Sequence, residues 1–351
     1  MAFFTAVFGM LPKYSDEDLT NQLQKSLAIY AANGFTTVQE GRAEGSALVD
    51  LSKTAAKGAF LLDVVAYPGL DSTSKDPALH GPLMSHYYKN KYRLGGVKLT
   101  FDGSPQGKTA YFTQPYYQVP AGQPKSYRGY PAFKPADAQK WVDMAFKNKW
   151  QLLVHANGDA AIDELIETVT KAKAKYPNSQ ARTVLIHGQY LRKDQVPKLK
   201  RAGIFPSSYP MHTFYWGDWH RQSVAGPKRA ENISPTGWVL DNGMKFTIHS
   251  DAPVTFPNSM RILDSAVNRT TRSGYVLGPK QRLTPYVALK AMTIWSAYQH
   301  FEEASKGTLE PGKLADFVIL NQNPLKIAPA KIINIKVVET IKDGKTVFSA
   351  K

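Results

Sequence analysis

Four residues of types that can do metal chemistry sit in short apolar runs along the chain. Lys98 lies inside "GVKLTF", His155 closes "WQLLVHAN", His187 closes "TVLIHG", and Asp251 closes "KFTIHSDAP". His155 and His187 are 32 residues apart and Asp251 lies 64 further on, about one and two β/α units. In a parallel barrel such spacings send strand-end side chains to one mouth. Two imidazoles and a carboxylate converging there suit a divalent metal such as zinc, and a lysine carboxylated by carbon dioxide adds a bridging oxygen ligand. Each residue also has a plainer reading: Lys98 as a buried ion pair with Asp102, and each histidine as a packed or surface side chain.

A competing chemistry is suggested by "VKLTFDGSPQGKTA", where a strand runs through a Gly-rich turn into Lys108-Thr109. A phosphate loop requires G-x-x-x-x-G-K-[ST], and the position five before Gly107 is Asp102, not glycine. The following "AYFTQPYYQVPAGQP" is too rich in proline and β-leaning aromatics to be the helix whose N-terminus would face phosphates. The register therefore argues against a nucleotide site of that kind and leaves it as a third reading, which lack of ATP binding would end.

Composition sets the remaining bounds. The chain has 351 residues, 43% of them hydrophobic, enough for one barrel-sized domain or two smaller ones. Cysteine is absent, which excludes disulfides, thiolate metal sites and cysteine nucleophiles. Lys and Arg outnumber Asp and Glu by 44 to 28, giving +16, but the basic residues are scattered and match no nucleic-acid motif; a solvated basic surface is expected. No apolar run is long enough to span a bilayer, and the opening "MAFFTAVFGML" lacks the flank and cleavage site of a signal peptide. The compartment stays open.

The elements that must position the four residues follow from periodicity. Residues 15–34 read as a helix capped by Ser15 and Asp18 and ended by Gly34. Strands are expected at "FTTVQE", 59–67, 96–101, 150–157, 183–188, 204–210 and 245–253, with helices at 135–149, 159–176 and 192–203. This alternation predicts a (β/α)8 TIM-type barrel with about seven strands, one short of closure. Long connections at 103–134 and 211–236 follow strand ends, on the side where barrels build their sites. After a helix opened by Thr284-Pro285, the tail reads as short antiparallel strands turned at "KDGK". The division expected is a barrel over 1–305 and a small β-sandwich remnant over 306–351.

With these segments in view, the chain resembles the amidohydrolase superfamily, and within it amidohydrolase family three, the branch of N-substituted formamide deformylase-like enzymes. "VKLTFDGSPQGKTAYFTQPY" resembles that branch's fourth-strand segment, "LLVHANGDAAID" the fifth, "VLIHGQYL" the sixth and "FTIHSDAPV" the eighth. "GTLEPGKLADFVIL" and "VVETIKDGKTVF" resemble the return to the sandwich and its closing hairpin. The resemblance implies hydrolysis of an amide or other C–N bond by a metal-activated hydroxide. Lys98 would be a carboxylated bridging ligand, His155 and His187 would bind the second metal, and Asp251 would bind the first and shuttle the proton.

The sequence departs from the family where strand one should end in H-x-H, a motif found nowhere in it. The tail also lacks the sandwich half it would pair with, leaving apolar edges to cover. Both gaps lead to the expectation that the chain corresponds to the C-terminal part of a longer protein. Its partners would then be a small-molecule substrate, the missing N-terminal segment or a second copy in a homodimer, with no nucleic acid or membrane. The alternative is a catalytically dead amidohydrolase-like protein that binds a ligand or partner.

Secondary candidates are weaker. In "FYWGDWHRQ", Trp216, Asp218 and His220 form either a substrate pocket or rim packing. His249 should face away from Asp251 by strand alternation unless the strand kinks. Asp159 reads as a helix start, and Asn157 as a residue that orients ligands or starts that helix. Gln39 could reach the mouth from strand two, and His80, His86, His212 and His300 have no convincing spacing.

Overall fold

The structure is a computed structural model that describes residues 14–350; the opening "MAFFTAVFGML" lies outside the described residues. Helix α1 (Asp16–Ala32) begins in the capping box expected: Asp18 N–H donates to Ser15 Oγ and Ser15 N–H to the Asp18 carboxylate, each at 3.1 Å. Gly34, at φ +84°, turns the chain into β1 (Thr37–Ala43). α2 (Ser46–Ala56) then leads to β2 (Asp63–Pro68), buried along its length and parallel to β1. A short strand, β3 (Tyr92–Leu94), flanks the start of β2, while at the far end Gly69 bridges to Lys98 in β4 (Val97–Thr100).

From β4 the sheet continues in sequence order and always parallel through β5 (Leu152–Ala156), β6 (Val184–His187), β7 (Phe205–Ser208) and β8 (Thr247–Ile248). Helices α3 (Pro135–Lys147), α4 (Asp159–Lys175) and α5 (Val196–Ala202) cover its outside. The faces separate by strand alternation. Val97, Leu99, Leu152, Val154 and Leu185 join the helices' Val142, Leu165 and Leu199 in one core, while Val65, Tyr67, Leu153, Val184, Ile186 and Phe205 fill the interior. This is a barrel of the (β/α)8 type that is open on one side: among the described residues, neither β1 nor β8 has a strand on its second edge.

The tail forms a three-stranded antiparallel sheet of β9 (Phe317–Leu320), β10 (Val337–Lys342) and β11 (Lys345–Ser349), with β10 central. Asp343 and Gly344 make the two-residue turn with φ of +53° and +74°, as "KDGK" requires. A buried chain of charges ties this sheet to the barrel base. Lys342 reaches Asp63 at 2.9 Å and Asp316 at 3.1 Å, and Lys306 reaches Asp63 and Glu302 at 2.7 Å each.

Two expectations need correction. The connection at 211–236 is mostly helical, with Met211–Trp219, a π-helical turn at His220–Val224 and Gly226–Ala230. Its aromatic density hid the helical period. The helix opened by Thr284 breaks at Thr293 into Pro285–Met292 and Ile294–Gln299, because Thr293 leaves the helical region at φ −123°, ψ −96°.

Candidate active site

Lys98, His155, His187 and Asp251 all line one cavity of about 660 Å³ that opens at the C-terminal ends of the strands. Lys98 and His155 face the interior by ordinary alternation, Lys98 opposite Leu153 and His155 opposite Ile186. His187 should by the same rule point outward with Leu185. Instead it adopts φ +74°, outside the strand region, and its side chain joins the cavity; Asp251 does the same at φ +57°. Positive φ is uncommon at residues other than glycine, and such strain clusters at functional sites.

The two imidazoles are held differently. His155 Nε2 lies 3.2 Å from Gly103 O and 3.0 Å from Asn157 Nδ2. His187 Nδ1 lies 3.0 Å from His249 Nε2, and His249 Nδ1 lies 3.0 Å from Ser207 Oγ. Among the described residues, His155 Nδ1 and His187 Nε2 make no hydrogen bond, so each ring has one nitrogen engaged and one available. That is the pattern of a metal-ligating histidine oriented by a neighbour. The rings themselves are 4.6 Å apart, centroid to centroid.

Asp102 builds the wall behind His155. It accepts backbone N–H groups from Tyr111 at 2.9 Å, Asn157 at 2.9 Å and Gly158 at 2.7 Å, clamping the loop after β4 onto the end of β5. Gly158 is required there, since a Cβ would stand 1.9 Å from Tyr111 O. Asp102 is therefore occupied by amides, and Lys98 forms no ion pair among the described residues. Burial of Lys98, partly opposed by the nearby Asp251 charge, brings its ammonium pKa down to about 7. Burial also pushes the Asp251 carboxyl up, against Lys98 and His155. Burial, reinforced by His155, His249 and Lys98, holds His187 well below its usual value, and burial takes His249 to about 3; both are neutral imidazoles at pH 7.

In kind, this donor set suits a divalent cation: two imidazoles, of which burial holds that of His187 neutral, a carboxylate, and an amine whose pKa burial brings down to about 7. In number it is short. Among the described residues, no three His, Asp or Glu side chains stand close enough to hold an ion together. A carboxylated Lys98 would add an oxygen donor to that set.

Other candidates are placed elsewhere. Trp216, Asp218 and His220 do not line the cavity. Asp218 accepts from Thr271 Oγ1 and Ser273 Oγ, His220 is buried between Tyr190 and His212, and Trp216 packs on the core. Asp159 opens α4 and pairs with Arg192 at 3.0 Å, while Asn157 Nδ2 donates to Gly103 O. Gln39 lines the cavity with its amide oxygen accepting from Gln299, and His300 lies near the floor beside Tyr67. His249 faces the cavity because β8 ends at Ile248, so alternation no longer governs residue 249. Glu40 and Arg42 were not legible as site residues. Arg42 lines the mouth and bonds to Thr100 and Asp71; the signal available was its place at the end of a barrel strand.

Comparison with known proteins agrees with this architecture. The model of the amidohydrolase family matches residues 2–348. The protein LONG AFTER FAR-RED 3 of Arabidopsis thaliana is 27% identical over 256 residues, 73% of this chain and 43% of that protein. N-substituted formamide deformylase of Arthrobacter pascens is 27% identical over 198 residues, 55% of this chain and 35% of that enzyme. An uncharacterized metal-dependent hydrolase from Pyrococcus horikoshii OT3 shares the fold with TM-score 0.76 at 22% identity, over 90% of this chain and 62% of the other. The chain thus spans less than half the length of these two curated relatives.

Proposed function

Because this chain belongs to the amidohydrolase family, we propose that it hydrolyses an amide or other C–N bond with the help of a divalent metal, zinc being the ion that best suits its donors. One observation carries the reading: Lys98, His155 and His187 from three strands and Asp251 from the loop just after β8 line one cavity at the C-terminal end of the barrel strands. His155 Nδ1 and His187 Nε2 would hold the ion, together with Asp251 and a carboxylated Lys98. A bound cation supplies a Lewis acid that polarises the substrate carbonyl and brings the pKa of water toward neutrality.

The chain's own groups do the rest. Above pH 7 the Lys98 amine is mostly neutral, so its lone pair can attack carbon dioxide, forming an N–C bond and releasing one proton to give the carbamate. Asp251 takes the proton from the attacking water and delivers it to the leaving nitrogen. His249 keeps His187 Nδ1 engaged, which leaves Nε2 available. The substrate proposed is a small molecule, and N-substituted formamides, the substrate class in the name of the Arthrobacter relative, are the first to try.

A second reading, a catalytically inactive member that binds a ligand or partner, is favoured by the incomplete donor set. The two separate in a hydrolysis screen of N-substituted formamides and simple amides, using zinc-loaded protein, chelator-treated protein and Asp251→Asn. The hydrolase reading expects turnover only in the first sample. Turnover in none of the three contradicts it for these substrates, and equal turnover in all three contradicts the metal and Asp251 roles.

A further inference from the structure

A second cavity, of about 300 Å³, lies at the other end of the barrel from His155 and His187. Its walls are the loop that follows β2, from Leu79 to His86, and residues 148–151, which lead into the N-terminal end of β5. The volume is at the small end of the range of ligand sites. Leu79, Met84 and Trp150 give the cavity an apolar side, and His80, His86 and Lys149 a polar one.

The donors around it are unspent. Trp150 is only 7% exposed, yet its indole Nε1–H meets no acceptor among the described residues and is not sealed into the core. A buried indole N–H ordinarily has a partner. Ring contacts, not hydrogen bonds, hold the two imidazoles: His80 lies 5.2 Å from Trp150, and His86 stacks on Phe301 at 4.3 Å with the planes 15° apart. Lys149 sits at φ +58°, where glycine would serve the turn with less strain, so the turn does not account for a lysine there. Among the described residues its ammonium forms no ion pair, and no Asp or Glu lines the cavity. The acids near enough to act on His86 are committed elsewhere, Glu302 to Arg93 at 2.6 Å and Glu303 to Arg182 at 3.3 Å.

We propose that this cavity binds a small organic anion, a carboxylate or a phosphate monoester. Its apolar body rests against Leu79, Met84 and Trp150, and its oxygens accept from Lys149, Trp150 Nε1 and the imidazoles. Unpaired donors without an acid among them select such a ligand, because a neutral or cationic one leaves the ammonium without a counter-charge. The net charge of +16 draws anions to the surface in the first place. The site stands apart from the strand ends that carry Lys98 and His155 and does not depend on the hydrolase reading.

The test uses metal-free protein, so a failed hydrolysis screen leaves it intact. With ¹⁵N-labelled tryptophan the chain gives six indole signals, and Trp150→Phe assigns the relevant one. Benzoate and phenyl phosphate are titrated at fixed ionic strength, with benzyl alcohol as the uncharged control. The proposal expects a saturable shift of the Trp150 signal with at least one anion, which identifies the headgroup, and none with benzyl alcohol. Lys149→Gln, at an exposed position, should weaken that binding by about tenfold or more, the worth of one hydrogen bond to a charged group. Lys98→Met should leave it unchanged. No shift with either anion at millimolar concentration would mean that water alone satisfies the indole, and overturns the proposal. An equal shift with benzyl alcohol, unchanged affinity in Lys149→Gln, or loss of the shift in Lys98→Met overturns it too.

Discussion

His187 Nδ1 lies 3.0 Å from Nε2 of His249, and this contact leaves Nε2 as the ring nitrogen of His187 that makes no hydrogen bond among the described residues. The pair spans β6 and the residue just beyond β8, so the open barrel still coordinates its strand ends. His249→Ala removes the partner while leaving both candidate imidazole ligands in place. Zinc affinity, measured by competition with a chromophoric chelator, should fall by about 10- to 100-fold, the usual cost of losing such a partner. Unchanged affinity would show that His187 is positioned by something else.

Asp102 should matter more for stability than its distance from the chemistry suggests. It is the acceptor for three backbone N–H groups, and Asp102→Ala strands them in a buried site. Urea unfolding should show a loss of about 3 kcal/mol or more, since each abandoned buried donor costs on the order of 1–3 kcal/mol. A loss under 1 kcal/mol would mean that water replaces the carboxylate without penalty.

Lys98 gives a pH prediction with a definite sign. Its pKa falls from 10.5 unfolded to about 7 folded, so between those values the unfolded chain holds a proton that the folded chain lacks. Stability therefore rises with pH from about 7 to about 10.5, and the full penalty is present below 7. In metal-free protein without bicarbonate, Lys98→Met should lose that rise and be a few kcal/mol more stable at pH 7, one pKa unit being about 1.4 kcal/mol. Denaturant midpoints at pH 7 and 9 check this; parallel pH dependence in parent and variant would contradict it.

The capping box at Ser15 and Asp18 is a local test of the sequence reading. Ser15→Ala should cost about 1 kcal/mol in a urea titration, the typical worth of an N-cap side chain. No change would place the start of α1 outside the cooperative unit.

Much of this site was legible because its strands are buried on both faces and so appear as continuous apolar runs. Polar residues such as Lys98, His155, His187 and Asp251 stand out against them. The alternation of strands and helices and the "KDGK" turn were readable for the same reason: each has a strong local signal. What escaped depended on backbone events that alternation cannot foresee. His249 enters the cavity because β8 is only two residues long, and His187, expected at the mouth, reaches it through a left-handed φ and not by the alternation of its strand. Trp216, Asp218 and His220 drew attention as an aromatic and polar cluster, but the helix and the π-helical turn they occupy direct them into packing and loop contacts.

The central claim is that His155 and His187 hold a divalent metal, and the most direct test is metal content per chain by elemental analysis after equilibration with zinc and removal of free ion. The account expects about one zinc or more per chain in the parent and none in the His155→Ala/His187→Ala double variant. No zinc in the parent, or the same content in both proteins, would contradict it.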